Sequence, residues 1–244
     1  MRNESIDRVD TILNRLGASL FLDSTTIDVA RRSGVDDVVA LIFGGRIGAM
    51  GDVGEAEMIE AFAFVSPTFL SATWASIDAL GGPAALLPIF LASNTEAARA
   101  NWDLAALGAV GSVAREVIEP VEGIRPGLFT GWRNLALDSE DGGLSQDVAS
   151  LHALRELRGD IHIDSVRLEG LSPLEAEIAT RGPVVAELHG WPQPYPDAAQ
   201  YQQRSLAAAR RTSDKMVEIY DASIDRRRFD ELADAAERLT DTQR

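Results

Sequence analysis

The chain has 244 residues, of which 45% are hydrophobic and none is cysteine, and its formal net charge is −15. That length suits one large domain or two small ones. The missing cysteine excludes disulfides, thiolate metal sites and a cysteine nucleophile, and the acidity disfavours a phosphate backbone as partner, whose affinity comes largely from Lys and Arg. The longest apolar runs, such as residues 84–92, are far too short to span a membrane. The opening MRNESIDRVD has charges of both signs and no apolar h-region, so no signal peptide is expected. A soluble, cytoplasmic protein with no membrane partner is the expectation. A single lysine, Lys215, among many arginines and alanines points to a GC-rich genome.

Apolar residues recur mainly at helical spacing. Ile6, Val9, Ile12, Leu13 and Leu16 form one amphipathic face, and Gly17 either ends that helix or marks close packing. A second helix is predicted over residues 25–32. Ser33 reads as the N-cap of a third, which carries Val35, Val38, Val39, Ile42 and Phe43. The glycine-rich GGRIGAMGDVG of residues 44–54 is expected to break it. Asp52 and Glu55 then resemble a capping box for a helix with Met58, Ile59, Phe62 and Phe64, which Ser66-Pro67 ends or kinks. Pro83 opens an apolar helix, and residues 95–118 read as a longer one.

Residues 121–143, rich in glycine, proline and acidic side chains, read as a connection between an N-terminal half, 1–120, and a C-terminal half, 144–244. Ser172-Pro173-Leu174-Glu175 is the strongest helix start in the chain. The proline-rich residues 191–196 predict an extended connector, a long helical region over 197–222 follows, and a charged helix closes the chain. Gly51 to Trp74 and Glu169 to Trp191 share a plan: a turn, Glu-Ala-Glu, a helix, a proline, a tryptophan. Two related helical halves facing each other would account for it, as would chance among alanine-rich helices.

Several motifs fall short of a specific chemistry. Gly45, Gly48, Gly51 and Gly54 lack the Lys-Ser/Thr and the preceding strand of a phosphate loop, so a turn between helices is expected. The histidines, His152, His162 and His189, lack metal-ligand spacing, and no metal is assigned. There is no Gly-x-Ser-x-Gly elbow. Trp74, Trp102, Trp132 and Trp191 fit a core or a pocket wall. Arg226-Arg227-Arg228 stands among Asp225, Asp230, Glu231 and Asp234 and reads as a solvated helix face. The densest polar cluster is RELRGDIHID at residues 155–164. It offers guanidiniums for an anion, carboxylates, and a titratable imidazole; structural pairing at a helix end would use the same residues.

GGRIGAMGDVGE at 44–55 with AFAFVSP at 61–67, and LRELRGDIH at 154–162 with Glu169-Gly170-Leu171, resemble the SalK-like helix-turn-helix family of poorly characterised proteins from high-GC Gram-positive bacteria. The resemblance covers most of residues 10–215. It implies an all-helical fold with winged-helix-like portions and, for some members, a place near secondary-metabolite genes. The family pattern carries further histidines where this chain has Gly17, Ser66, Ala149 and Leu157, so a metal or haem role in relatives would be lost here. Arg46, Arg155, Glu156, Arg158, Asp160 and His162 match.

The expectation is thus an all-α protein of two related helical halves with a pocket between them. It would bind a small-molecule ligand, with an enzyme of specialised metabolism as one form of that reading. Arg46, Arg155 and Arg158 would hold the ligand; His162, Asp160 and Glu156 would do acid–base work. The cofactor is left unknown and a homodimer is admitted. A helix-turn-helix transcriptional regulator is the runner-up, weakened by the absence of a basic recognition helix. A catalytically silent scaffold is third.

Overall fold

The structure, a computed structural model, describes residues 3–138 and 142–241; residues 139–141, in the segment read as a connection, and the chain's first two and last three residues lie outside them. Its regular elements are helices throughout, with no β-strand among the described residues. The protein is all-α, as the apolar periodicity requires, and a wing in the form of a strand pair has no counterpart among those residues.

Helix α1 (Asn3–Phe21) buries Ile6, Val9, Leu13, Leu16 and Leu20. It continues a turn past Gly17, where a Cβ would lie 2.8 Å from Arg155 Cδ, so this glycine marks close packing. Asp23 caps α2 (Ser24–Arg32). Ser33 is the C-cap of α2 and does not start the next helix. Asp37 does so, accepting the Ala40 N–H at the head of α3 (Val38–Gly48). The intervening turn needs Gly34 at φ +86°, which keeps Val35 in the core but outside the helix.

The glycine-rich segment departs from expectation. Helix α3 runs through Gly44, Gly45, Arg46, Ile47 and Gly48, and the break comes at Ala49 to Gly54. The reason lies in a partner helix. A Cβ on Gly44 would sit 2.4 Å from Leu86 Cδ1, one on Gly45 2.3 Å from Phe90 Cβ, and one on Gly48 2.5 Å from the Pro83 carbonyl. Helix α6 (Pro83–Asn101) lies directly on this bare face. These three glycines serve close approach of two helices, while Gly51, at φ +85°, and Gly54 lie in the expected turn.

Helix α4 (Glu55–Ala61) starts at Gly54, whose N–H bonds to Glu57, and not at Asp52. Pro67 and Pro83 occupy first-turn positions of α5 (Pro67–Ala79) and α6. The single helix expected over 95–118 is divided: α6 ends at Asn101, and Asp103 caps α7 (Leu104–Ile118) through the Ala105 and Ala106 N–H groups. The expected connection contains α8 (Leu128–Leu137). Helix α9 (Leu144–Leu168) is the central strut, packed against α1, α6, α7 and α8. Ser172 and Glu175 form the expected reciprocal capping box on α10 (Pro173–Thr180). Then come α11 (Pro183–Leu188), the connector, a 3-10 turn, α12 (Gln202–Ser223), which also packs on α9, and α13 (Arg226–Asp241).

One apolar core holds side chains from Ile6 to Leu239 and draws on both sides of residues 121–143. A smaller one gathers Val166, Leu171, Ala176 and Ala208 beneath α10. The arginine run at 226–228 is neutralised: Arg226 pairs with Asp230 at 2.8 Å, Arg227 with Glu231 at 3.7 Å, and Arg228 with Glu231 and Glu116. No single helix among the described residues is long and apolar enough to cross a membrane.

The α3–α6 contact gives a paired prediction. Gly45→Ala forces its methyl into the root of the Phe90 side chain, and neither helix can yield alone, so unfolding by denaturant should show a loss of about 3 kcal/mol. Gly108→Ala, in α7, meets only Asp147 Oδ2 at 3.7 Å. It should gain about 0.5–1 kcal/mol from helix propensity.

Candidate functional site

Arg155, Arg158 and His162 recur three and four residues apart, so they share one face of α9, with Glu156 and Asp160 beside them. That face forms one wall of a cavity of about 240 Å³. Opposite stand Arg46 and Phe43 from α3, the α4–α5 link with Phe62 and Phe64, and Arg181 and His189 from either end of α11. All six site residues expected from sequence line this one cavity.

Glu156 lies at its base, 3% exposed. It accepts two hydrogen bonds from Arg46, Nε to Oε1 and Nη2 to Oε2, both 3.0 Å, and a third from Arg155 Nη1 at 2.6 Å. The Arg46 guanidinium also stacks 4.7 Å from the centroid of the Phe62 ring, and that of Arg155 lies 5.1 Å from Phe21. With two cations on one carboxylate, the triad keeps a positive surplus. Burial lowers the Arg155 pKa to about 10, opposed by Glu156 and reinforced by Arg46.

Asp160 does a different job. Its Oδ2 accepts the Phe129 N–H at 3.0 Å and so supplies the cap that Gly127 cannot give α8. A Cβ on Gly127 would sit 2.4 Å from that oxygen, which explains the glycine. Burial pushes the Asp160 carboxyl up to about 7, partly offset by the Phe129 N–H. Of the acid–base residues expected from sequence, Glu156 is tied up in ion pairs and Asp160 caps a helix; His162 is the one with a ring nitrogen uncommitted. His162 Nδ1 lies 3.0 Å from Thr212 Oγ1, and burial, then Arg158 and Arg181, hold its pKa down at about 4.

The two other cavity-lining arginines are loosely held. Arg158 Nε is 3.5 Å from Asp10 Oδ2, and Arg181 is 3.9 Å from Glu177. Asp10 is buried, accepts the Tyr220 hydroxyl at 2.9 Å and is raised by burial to about 6. Glu177 also lies 2.8 Å from His189 Nδ1, though out of line for a hydrogen bond.

Arg181 and His189 were not singled out as site residues from sequence. They lie outside the dense polar cluster, and the available signal was their place within the second of the two similar segments. These segments touch: Ser66 N–H bonds to the His189 carbonyl at 2.9 Å, and Trp191 Nε1 to the Phe64 carbonyl at 2.9 Å. None of the tryptophans lines the cavity. Trp132 and Trp191 instead pin its backbone, donating to the carbonyls of Arg46 and Phe64. His152 is also apart from it. Fully buried against Phe21, Phe90 and Trp132, with its pKa driven well down by burial and then by Arg155 and Arg46, it is a core imidazole. Among the described residues no cluster of three or more His, Cys, Asp or Glu is placed to hold a metal ion. A larger groove of about 710 Å³ between α9 and α12 is shallow and lined by mutually paired charges, including Arg211 with Glu169 and Lys215 with Glu218.

Asp160 yields a prediction about pH. Its folded pKa is raised, so the stability it adds is fully present below about pH 4 and is lost as pH rises through about 7. His162, depressed, acts oppositely and loses its contribution as pH falls from 6.5 through 4. Asp160→Asn keeps the oxygen that caps α8 and removes the titration. Its stability advantage over the parent chain, measured by denaturant unfolding, should grow from pH 5.5 to pH 8. An advantage that does not change with pH would contradict the assignment.

Comparison with known proteins gives one match. No curated protein and no solved structure is significantly similar to this chain. A family model described as a helix-turn-helix family matches residues 6–243, nearly the whole described chain and all of the cavity. This protein therefore belongs to that helix-turn-helix family.

Proposed function

We propose that the protein binds a small organic carboxylate in the α9 cavity. The observation that supports this reading is the imbalance of charge among the side chains that line it: Arg46, Arg155, Arg158 and Arg181 against the carboxyls of Glu156 and Asp160, with Asp10 and Glu177 set behind Arg158 and Arg181. Arg46 is engaged at both ends by Glu156, whereas Arg158 and Arg181 hold their partners at 3.5 and 3.9 Å. These two guanidiniums are the ones free to take a carboxylate through paired N–H groups. Phe43, Phe62 and Phe64 supply apolar walls, the usual background for a few fixed polar groups. A cavity of about 240 Å³ suits a small ligand, the size of benzoate. Proton transfer by His162 on such a ligand would make the protein an enzyme, and the SalK-like resemblance would place it in specialised metabolism.

Titration calorimetry with benzoate is the direct check. Arg181→Ala, at a half-exposed side chain, should weaken binding about ten-fold. Its unfolding free energy should stay within about 0.5 kcal/mol of the parent. No binding of benzoate at millimolar concentration would sink the reading. Native mass spectrometry of the freshly purified protein would show a retained ligand as extra mass and distinguish monomer from homodimer.

Membership of a helix-turn-helix family favours a second reading, a transcriptional regulator whose cavity would be an effector site. The helices that follow short turns are poor recognition elements. The α3 helix is apolar and mostly buried, and α11 presents Val184 and Leu188 with Glu187. A gel shift with the protein's own upstream DNA at low salt decides: a sequence-specific shift at micromolar protein establishes the regulator, and none removes it.

A further inference from the structure

We propose that Thr212 locks His162 in a single tautomer, so that the cavity presents a bare imidazole lone pair and selects carboxylates that also carry a hydroxyl or N–H donor. The inference rests on the carboxylate reading above and narrows its ligand class. Thr212 lies on α12, is fully buried, does not itself line the cavity, and bonds to His162, which does.

The hydrogen count decides the tautomer. The Thr212 hydroxyl has one proton and two close neighbours, the Ala208 carbonyl at 2.8 Å and His162 Nδ1 at 3.0 Å. A carbonyl can only accept, so the hydroxyl donates to Ala208, the usual back-bond of a helical threonine. His162 Nδ1 must then carry the proton and donate to Oγ1. The reverse assignment would set two oxygen lone pairs against each other at 2.8 Å. With its one proton on Nδ1, the neutral ring offers only a lone pair at Nε2. Burial and the cations Arg158 and Arg181 favour the neutral ring, with Glu177 the opposing charge, and Phe64 packs against it at 5.5 Å between centroids. No protein hydrogen bond to Nε2 is present among the described residues, and the atom is not sealed in the core. The cavity thus offers donors from its arginines and an acceptor from His162. A ligand fitting both is an anion at one end and a donor at the other.

The test compares benzoate, the three hydroxybenzoates and their methoxy counterparts by calorimetry. At least one hydroxybenzoate should bind about ten-fold tighter than benzoate, and its methoxy partner should not, because a site built to hydrogen-bond a donor penalises the analogue that lacks it. Thr212→Val keeps the shape and removes the oxygen that fixes the ring. It should reduce the hydroxyl preference to less than about three-fold while benzoate affinity is kept. Thr212→Ser should retain the preference. Benzoates that bind without regard to the hydroxyl, or a preference that survives Thr212→Val, would overturn the inference and leave the carboxylate reading standing. If no benzoate binds, both fall. Long-range nitrogen–proton NMR of the ring reads the tautomer without a ligand: a proton on Nδ1 is expected, and one on Nε2 would overturn the proposal by itself.

Discussion

Glu156 is the point on which the arrangement turns. A carboxylate this buried is costly unless its oxygens are filled by charged donors, and removing a partner from such a pair typically costs about 3–5 kcal/mol. Here Arg46 fills both oxygens from α3 and Arg155 adds a third bond from the neighbouring position on α9. The triad therefore ties α3 to α9 across the cavity floor. It also sets the sign of the cavity, because one carboxylate cannot neutralise two guanidiniums.

The other contacts around the cavity serve that geometry. Helix α3 can bring Arg46 to Glu156 while lying flush on α6 because Gly44, Gly45 and Gly48 leave no side chain between them. Trp132 holds the Arg46 carbonyl from α8, and Asp160 on α9 in turn caps α8 through the space that Gly127 leaves open. The link after α4 is held by Trp191 and by the His189 carbonyl, which brings Phe64 and the second similar segment to the same opening. Tryptophan and glycine thus shape the cavity without lining it with their side chains, while arginine, histidine and phenylalanine give it its chemistry.

Charge and burial also sort the polar residues by role. Asp160 holds a helix end through Oδ2, and Glu156 accepts from two arginines. His162 keeps one nitrogen uncommitted, and Arg158 and Arg181 keep most of their donors. Within a cluster that reads as uniform in sequence, the surroundings divide structural from receptive groups.

The sequence alone determined the helical class, the capping box at Ser172 and the set of polar side chains that gather at the cavity. The first two rest on short-range physics, the 3.6-residue period and the chemistry of a helix start; the polar set rests on the density of charge at residues 155–164 and, for Arg46, on the family resemblance. It misplaced the end of α3, the cap at Ser33, the continuity of 95–118 and the emptiness of 121–143, which holds α8. A run of glycines looks locally like a turn; only the presence of α6 against it turns those glycines into a packing face. Arg181, His189 and Thr212 were equally out of reach, because their roles depend on partners far away in the chain. Which residues gather is written in local patterns, but which nitrogen, oxygen or guanidinium remains free is decided by long-range pairing, and so by the tertiary structure alone.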